Sequence, residues 1–147
     1  MPSRSGNRGS VLLLDTSVVV KWYIEEENSV EALTIRDSFL DDRLEIFFPD
    51  LGLYELANAL RYSGLFSEEE IQLYLQSAID IGMQIVPIDP SVLKAAISLS
   101  LARNLAVYDS YFAALADSIG AIYITADEKA LKKLSDLMHV EGLARRK

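Results

Sequence analysis

The sequence predicts an α/β fold: a single-domain, three-layer α/β/α sandwich around a central parallel sheet. Three observations predict it. Short apolar runs alternate with longer segments of helical periodicity, the order a parallel sheet covered on both faces requires. The first run, Val11-Leu12-Leu13-Leu14, is apolar throughout, as in a strand buried on both faces. No repeat, low-complexity segment or linker interrupts the order, and 147 residues suit one compact core.

Each element has a local reason. Residues Met1 to Ser10 hold Ser, Gly, Arg, Asn and Pro with no apolar run, so 1–10 reads as a flexible N-terminal tail. Val11 to Leu14 is the first strand, and it ends in Asp15-Thr16-Ser17 at a helix start. The stretch to Ile24 is broken by Asp15 and Lys21 and is too short and polar to span a membrane. Asn28 to Asp42 is the next helix. Leu44 to Phe48 is the second strand, halted at Pro49-Asp50, with Asp50 as the cap of the helix carrying Leu53, Leu56, Ala57 and Leu60. Ser67-Glu68-Glu69-Glu70 is a capping box opening a helix with Ile71, Tyr74, Leu75, Ala78 and Ile79 on one face. Gln84 to Ile88 is the third strand, followed by helices over Ser91 to Arg103 and Asp109 to Ser118. Ala121 to Ile124 is a strand, Glu128 to Leu137 a helix, and Met138 to Val140 a last short strand. The domain is expected over 11–141, with a basic tail at 142–147.

Charge and composition narrow the chemistry. There are 22 acidic and 14 basic residues, for a net charge of −8. Five of the basic residues lie at the two ends, so residues 11 to 144 hold 9 basic against 22 acidic side chains, a net −13. Bulk electrostatic affinity for nucleic acid, which shows as a basic face, is therefore not expected. No Cys and a single His exclude disulfides, thiol nucleophiles, Cys-based metal sites and multi-histidine sites. There is no G-x-G-x-x-G or Walker A run. A soluble, cytoplasmic protein is expected, with no membrane association.

What remains is carboxylate chemistry. Ligands of such a sheet bind beyond the carboxyl ends of its strands; Asp15 follows the first strand and Asp127 the fourth, while Asp109 opens a helix. Each also has the plain reading of a helix N-cap. Asp109 departs from a simple cap because it shares a helical face with Phe112, Ala113 and Ala116, and a carboxylate turned inward needs a partner. Glu55 lies opposite the Leu53, Leu56, Leu60 stripe, beside Asn58. Periodicity leaves open whether that face meets solvent or Asp15. Four converging carboxylates would need divalent cations between them, and oxygen-only ligands select Mg²⁺ or Mn²⁺. Two such ions about 4 Å apart are the standard device for phosphodiester hydrolysis.

The residues carry a resemblance. Leu14-Asp15-Thr16-Ser17-Val18-Val19-Val20-Lys21-Trp22, Pro49 to Leu60 with Glu55 and Asn58, Tyr108-Asp109 with Ala113, Leu115 and Ala116, and Ile124-Thr125-Ala126-Asp127 occur in the order and spacing of the four motifs of PIN domains. Within that family the sequence resembles the VapC-type toxin ribonucleases of prokaryotic toxin–antitoxin pairs, from Val11 to about Val140. Phe112 departs from the Tyr common there. The resemblance implies a metal-dependent endoribonuclease acting on RNA, a homodimer, and a small antitoxin whose basic tail blocks the site. It also implies that Asp15, Glu55, Asp109 and Asp127 bind Mg²⁺ or Mn²⁺, with Thr16, Ser17, Asn58 and Thr125 as supporting polar groups.

Other features have sufficient plain explanations. Lys21 and Arg61 are isolated basic residues, Glu25-Glu26-Glu27 is a solvated helix end, and His139 lacks a local nucleophile motif. The Tyr74, Leu75, Ile79 stripe reads as core or dimer surface. Two competing readings stand beside the nuclease: a non-catalytic module of the same fold that holds a protein or RNA partner, and a phosphatase with Asp15 as nucleophile. The phosphatase ranks low, because Ser17 stands where a second Asp is wanted.

Overall fold

The computed structural model describes residues 10–145; residues 1–9 of the expected N-terminal tail, and 146–147 at the other end, lie outside them. The elements are β1 (Val11–Leu14), α1 (Thr16–Val19, prolonged by a 3-10 turn, Val20–Trp22), α2 (Ser29–Leu40), β2 (Glu45–Pro49), α3 (Asp50–Tyr62) and α4 (Glu68–Asp80). They continue as β3 (Gln84–Val86), α5 (Pro90–Arg103), α6 (Val107–Ile119), β4 (Ile122–Thr125), α7 (Glu128–Leu134) and β5 (Val140–Gly142), with a closing 3-10 turn, Leu143–Arg145. The five strands form one sheet in the order β3-β2-β1-β4-β5, and every adjacent pair is parallel. The predicted three-layer α/β sandwich is the fold observed.

β1 is the axis of the molecule. Leu13 registers with Phe47 of β2 on one side and Tyr123 of β4 on the other. Leu12, Leu13 and Leu14 are all 0% exposed. Successive strand residues point to opposite faces, so both faces of the sheet are covered at its centre. The apolar core runs from these leucines through Ile46, Phe48, Leu56, Phe112 and Ile124.

Several boundaries differ from expectation, each for a local reason. β3 stops at Val86, because Pro87 lacks an amide hydrogen to extend the ladder; Ile88 is exposed beyond it. Asp50 is not a cap: Pro49 occupies the N-cap position, no side chain caps the helix, and Asp50 is its first residue. α6 begins two residues before Asp109, making Asp109 its third residue. α7 ends at Leu134, and the last strand is Val140–Gly142, since Met138, expected within it, is 99% exposed. Leu143 beyond that strand is buried, so ordered core reaches past residue 141. The capping box of α4 forms in both directions, Glu70 N–H to Ser67 Oγ at 3.2 Å and Ser67 N–H to Glu70 Oε1 at 2.9 Å. Of its predicted inward stripe, Ala78 is buried while Ile79 is partly exposed.

The placement of α3 depends on a glycine. Gly52 lies over the ring of Phe48 on β2, and a Cβ there would meet three ring atoms at 2.3 to 2.8 Å. That ring is fully buried and packs edge-on against Phe112 at 6.3 Å, so it has nowhere to retreat. Helix propensity alone would make Gly52→Ala stabilising by about 1 kcal/mol. Overpacking of a filled core costs about 1–3 kcal/mol, and at these distances the clash wins. Gly52→Ala is therefore expected to lower stability by about 1–2 kcal/mol in urea unfolding; an unchanged or raised midpoint would contradict this packing.

Candidate functional site

In a parallel sheet the strand ends share one edge, and a crevice opens where the strand order reverses. Here the chain builds β2 and β3 on one side of β1 and then returns to place β4 on the other. The reversal lies between β1 and β4. Asp15 follows β1 directly, and its N–H donates to the Ile124 carbonyl at 2.9 Å, so the β1–β4 ladder runs into the first acid. Asp127 stands two residues beyond β4.

Asp15 caps α1 and is 6% exposed. Its Oδ2 accepts from the Ser17 N–H at 3.0 Å and its Oδ1 from the Tyr123 hydroxyl at 2.6 Å. Burial pushes its pKa up; the Ser17 and Tyr123 bonds oppose this, and the charge of Asp127 adds to it. Asp127 caps α7, accepting from Lys129 N–H at 2.9 Å and Ala130 N–H at 3.2 Å. For these two residues the cap and the site are the same side chain, because a strand-to-helix turn puts both on the carboxyl edge.

Glu55 is settled by one bond. Thr16 Oγ1 donates to Glu55 Oε1 at 2.7 Å, so the polar face of α3 turns toward the end of β1. Burial raises the Glu55 pKa, the Thr16 bond lowers it, and the charge of Asp15 raises it further. Asp109, on the first turn of α6, is half-buried. Its pKa is raised to about 6, first by burial and then by the charges of Asp15, Asp127 and Glu55. Asp109 therefore stands within electrostatic reach of each of the other three acids.

The expected supporting groups divide. Ser17 Oγ accepts from the Ala126 N–H at 3.0 Å, fastening α1 to the loop after β4. Thr125, fully buried, accepts from the Asp127 N–H at 3.0 Å. Thr16 holds Glu55. Asn58 is exposed and makes no hydrogen bond to these acids among the described residues. Tyr123 was given no role by sequence reasoning, yet its hydroxyl reaches Asp15 across 108 residues of chain. The available signal was a tyrosine inside an otherwise aliphatic strand, because a buried phenol needs a hydrogen-bond partner. Burial and the Asp15 charge push its pKa well up, so the hydroxyl keeps its proton and donates.

The donor set suits a hard divalent cation. It is oxygen-only, and none of the four acids pairs with Lys or Arg among the described residues; Lys21 pairs instead with Glu26, Arg36 with Asp37 and Arg103 with Asp136. No group of three or more His, Cys, Asp or Glu among the described residues is gathered tightly enough to hold an ion as it stands. The acids share an edge and repel; they do not form a closed cage.

Comparison with known proteins places the chain in a family. A family model described as PIN domain matches residues 12–137: the chain belongs to the PIN domain family. It is 30% identical over 131 residues to Ribonuclease VapC3 of Pyrobaculum aerophilum, covering 86% of this chain and 97% of that one. Among solved structures it is similar to PAE2754 from Pyrobaculum aerophilum, with a TM-score of 0.64 at 20% identity, over 91% of this chain and 92% of the other. It is also similar to FitAcB from Neisseria gonorrhoeae, with a TM-score of 0.66 at 20% identity, over 91% and 99% of the two chains.

The raised pKa of Asp109 has a thermodynamic consequence. Its folded value of about 6 lies above the value near 4 of an unfolded chain, so the folded state binds this proton more tightly. The stabilising contribution is complete below about pH 4 and is lost as pH rises through about 6. In chelator, the stability of Asp109→Asn relative to wild type should therefore grow as pH rises across that window. Thermal unfolding of both proteins at a series of pH values checks this, and a pH-independent difference would contradict it.

Proposed function

We propose that this protein is a metal-dependent endoribonuclease that hydrolyses RNA phosphodiester bonds, as the toxin of a VapBC-type toxin–antitoxin pair. The observation that carries the reading is the convergence of Asp15, Glu55, Asp109 and Asp127 at the sheet's switch point, without a Lys or Arg partner among the described residues. These four side chains would hold Mg²⁺ or Mn²⁺. When bound, the ions supply an activated water and neutralise charge on the leaving oxygen.

The chain's own groups prepare that edge. Thr16 orients Glu55, while Ser17 and Thr125 hold the Ala126-Asp127 turn against α1. The raised pKa values of Asp15, Glu55 and Asp109 mean that burial and crowding oppose ionisation, and a cation reverses that balance. RNA as substrate is supported by the ribonuclease relative, and an antitoxin partner by the similar fold of a toxin–antitoxin complex from Klebsiella pneumoniae. A basic antitoxin tail complements the acidity of this chain. Homodimerisation and a cytoplasmic address complete the proposal; no helix among the described residues is long and apolar enough to cross a membrane.

The openness of the cluster favours one other reading, a PIN-fold module that holds a partner without chemistry. RNA cleavage separates the two. Wild type should cut RNA with Mg²⁺ or Mn²⁺ and stop in EDTA, and Asp15→Asn should lose more than about a hundredfold in rate, exceeding the usual effect of an outer-shell substitution. Equal cleavage by variant and wild type, or cleavage indifferent to EDTA, would sink the nuclease reading. A folded wild type that takes up no divalent metal in calorimetry would favour the binding module.

A further inference from the structure

We propose that Tyr123 is a positioning residue that sets the carboxylate plane of Asp15 for metal binding, an inference that rests on the metal-dependent reading above. The tyrosine is fixed independently of its partner. It lies on β4 next to the central strand, is 0% exposed, and stacks on Phe112 at 6.0 Å and 28°. Phe112 is itself held edge-on by Phe48 at 6.3 Å. The ring position is thus determined by core packing, and the hydroxyl is delivered to Asp15 Oδ1 at 2.6 Å, the short range of a hydrogen bond to a carboxylate.

The second contact makes this more than satisfaction of a buried phenol. Ser17 N–H binds the other oxygen, Oδ2, at 3.0 Å. One donor would leave the carboxylate free to turn about its last side-chain bond; two donors on opposite oxygens fix its plane. Each oxygen retains lone-pair capacity for a cation. Hydrogen bonds of this kind orient metal ligands, and their loss typically weakens metal affinity about ten- to a hundredfold.

Calorimetric titration with Mn²⁺ alone, beside thermal unfolding, tests the assignment on the full chain. Tyr123→Phe keeps the ring and removes the donor, and should bind Mn²⁺ about ten- to a hundredfold more weakly than wild type. Tyr123→Leu should lose more stability but a similar factor in affinity. Ile35→Ala, in the core on α2 and carrying no site residue, should lose stability with Mn²⁺ affinity unchanged. Wild-type affinity in folded Tyr123→Phe overturns the role of Tyr123 and leaves the metal reading standing. Affinity that falls in step with stability across all three variants overturns it too, by making the effect merely structural. A wild type that binds no Mn²⁺ removes the metal reading and this inference with it.

Discussion

The pairing of β1 with β4 is the contact on which the rest of the site depends. It joins residues more than a hundred positions apart and places the reversal of strand order between them. It then extends one residue further, through the Asp15 N–H and the Ile124 carbonyl, so that an acid rather than an apolar residue ends the ladder. Around that point the same register brings Tyr123 beside β1 and Ser17 against Ala126. A carboxylate this buried is tolerable only because it is hydrogen-bonded at both oxygens. The covalent order of the chain contributes the acids singly; this one strand pair makes Asp15 and Asp127 neighbours.

The acidity of the chain and the chemistry of its edge are separate matters. Four acids belong to the cluster, and much of the remaining negative charge is spent on helix starts, as at Glu68, Glu69 and Glu70, or on solvated surface. The few cations are widely committed. Lys21 bonds Glu26, Arg103 clamps Asp136 and the Lys133 carbonyl, Lys133 reaches the Asn104 carbonyl, and Arg61 lies over Tyr62 at 4.6 Å. Among the described residues, none of the four acids is paired with a Lys or Arg. In the proposed reaction, bound cations would bring positive charge to the acids themselves, so they would serve attraction as well as chemistry.

Much of this was legible in the chain. Periodicity and apolar runs located the strands and helices because burial on both faces of a parallel sheet leaves strong marks, as in Leu12 to Leu14. The position of Asp15 and Asp127 at the carboxyl edge of the sheet was legible because each follows a strand, Asp15 directly and Asp127 two residues on. Glu55 was not, since a helical face at the surface and one at a sheet edge look alike until Thr16 is seen to reach it. Asp50 was misread because Asp after Pro suggests a cap, whereas Pro49 itself fills that position. Tyr123 escaped because its partner is fixed by register between distant strands, which no local pattern encodes.

The strand order also governs when this protein becomes itself during synthesis. A nascent chain that has emerged through Ile119 holds β1, β2 and β3 but leaves one edge of β1 unpaired, because its other neighbour is still to come. Such an edge is open to pairing with another chain until β4 arrives. Asp15 waits for Tyr123, made 108 residues later, and for Asp127 beyond it. The acidic edge is therefore assembled only after β4 and the turn that follows it have been made, since Asp127 and the hydroxyl that holds Asp15 both come from there.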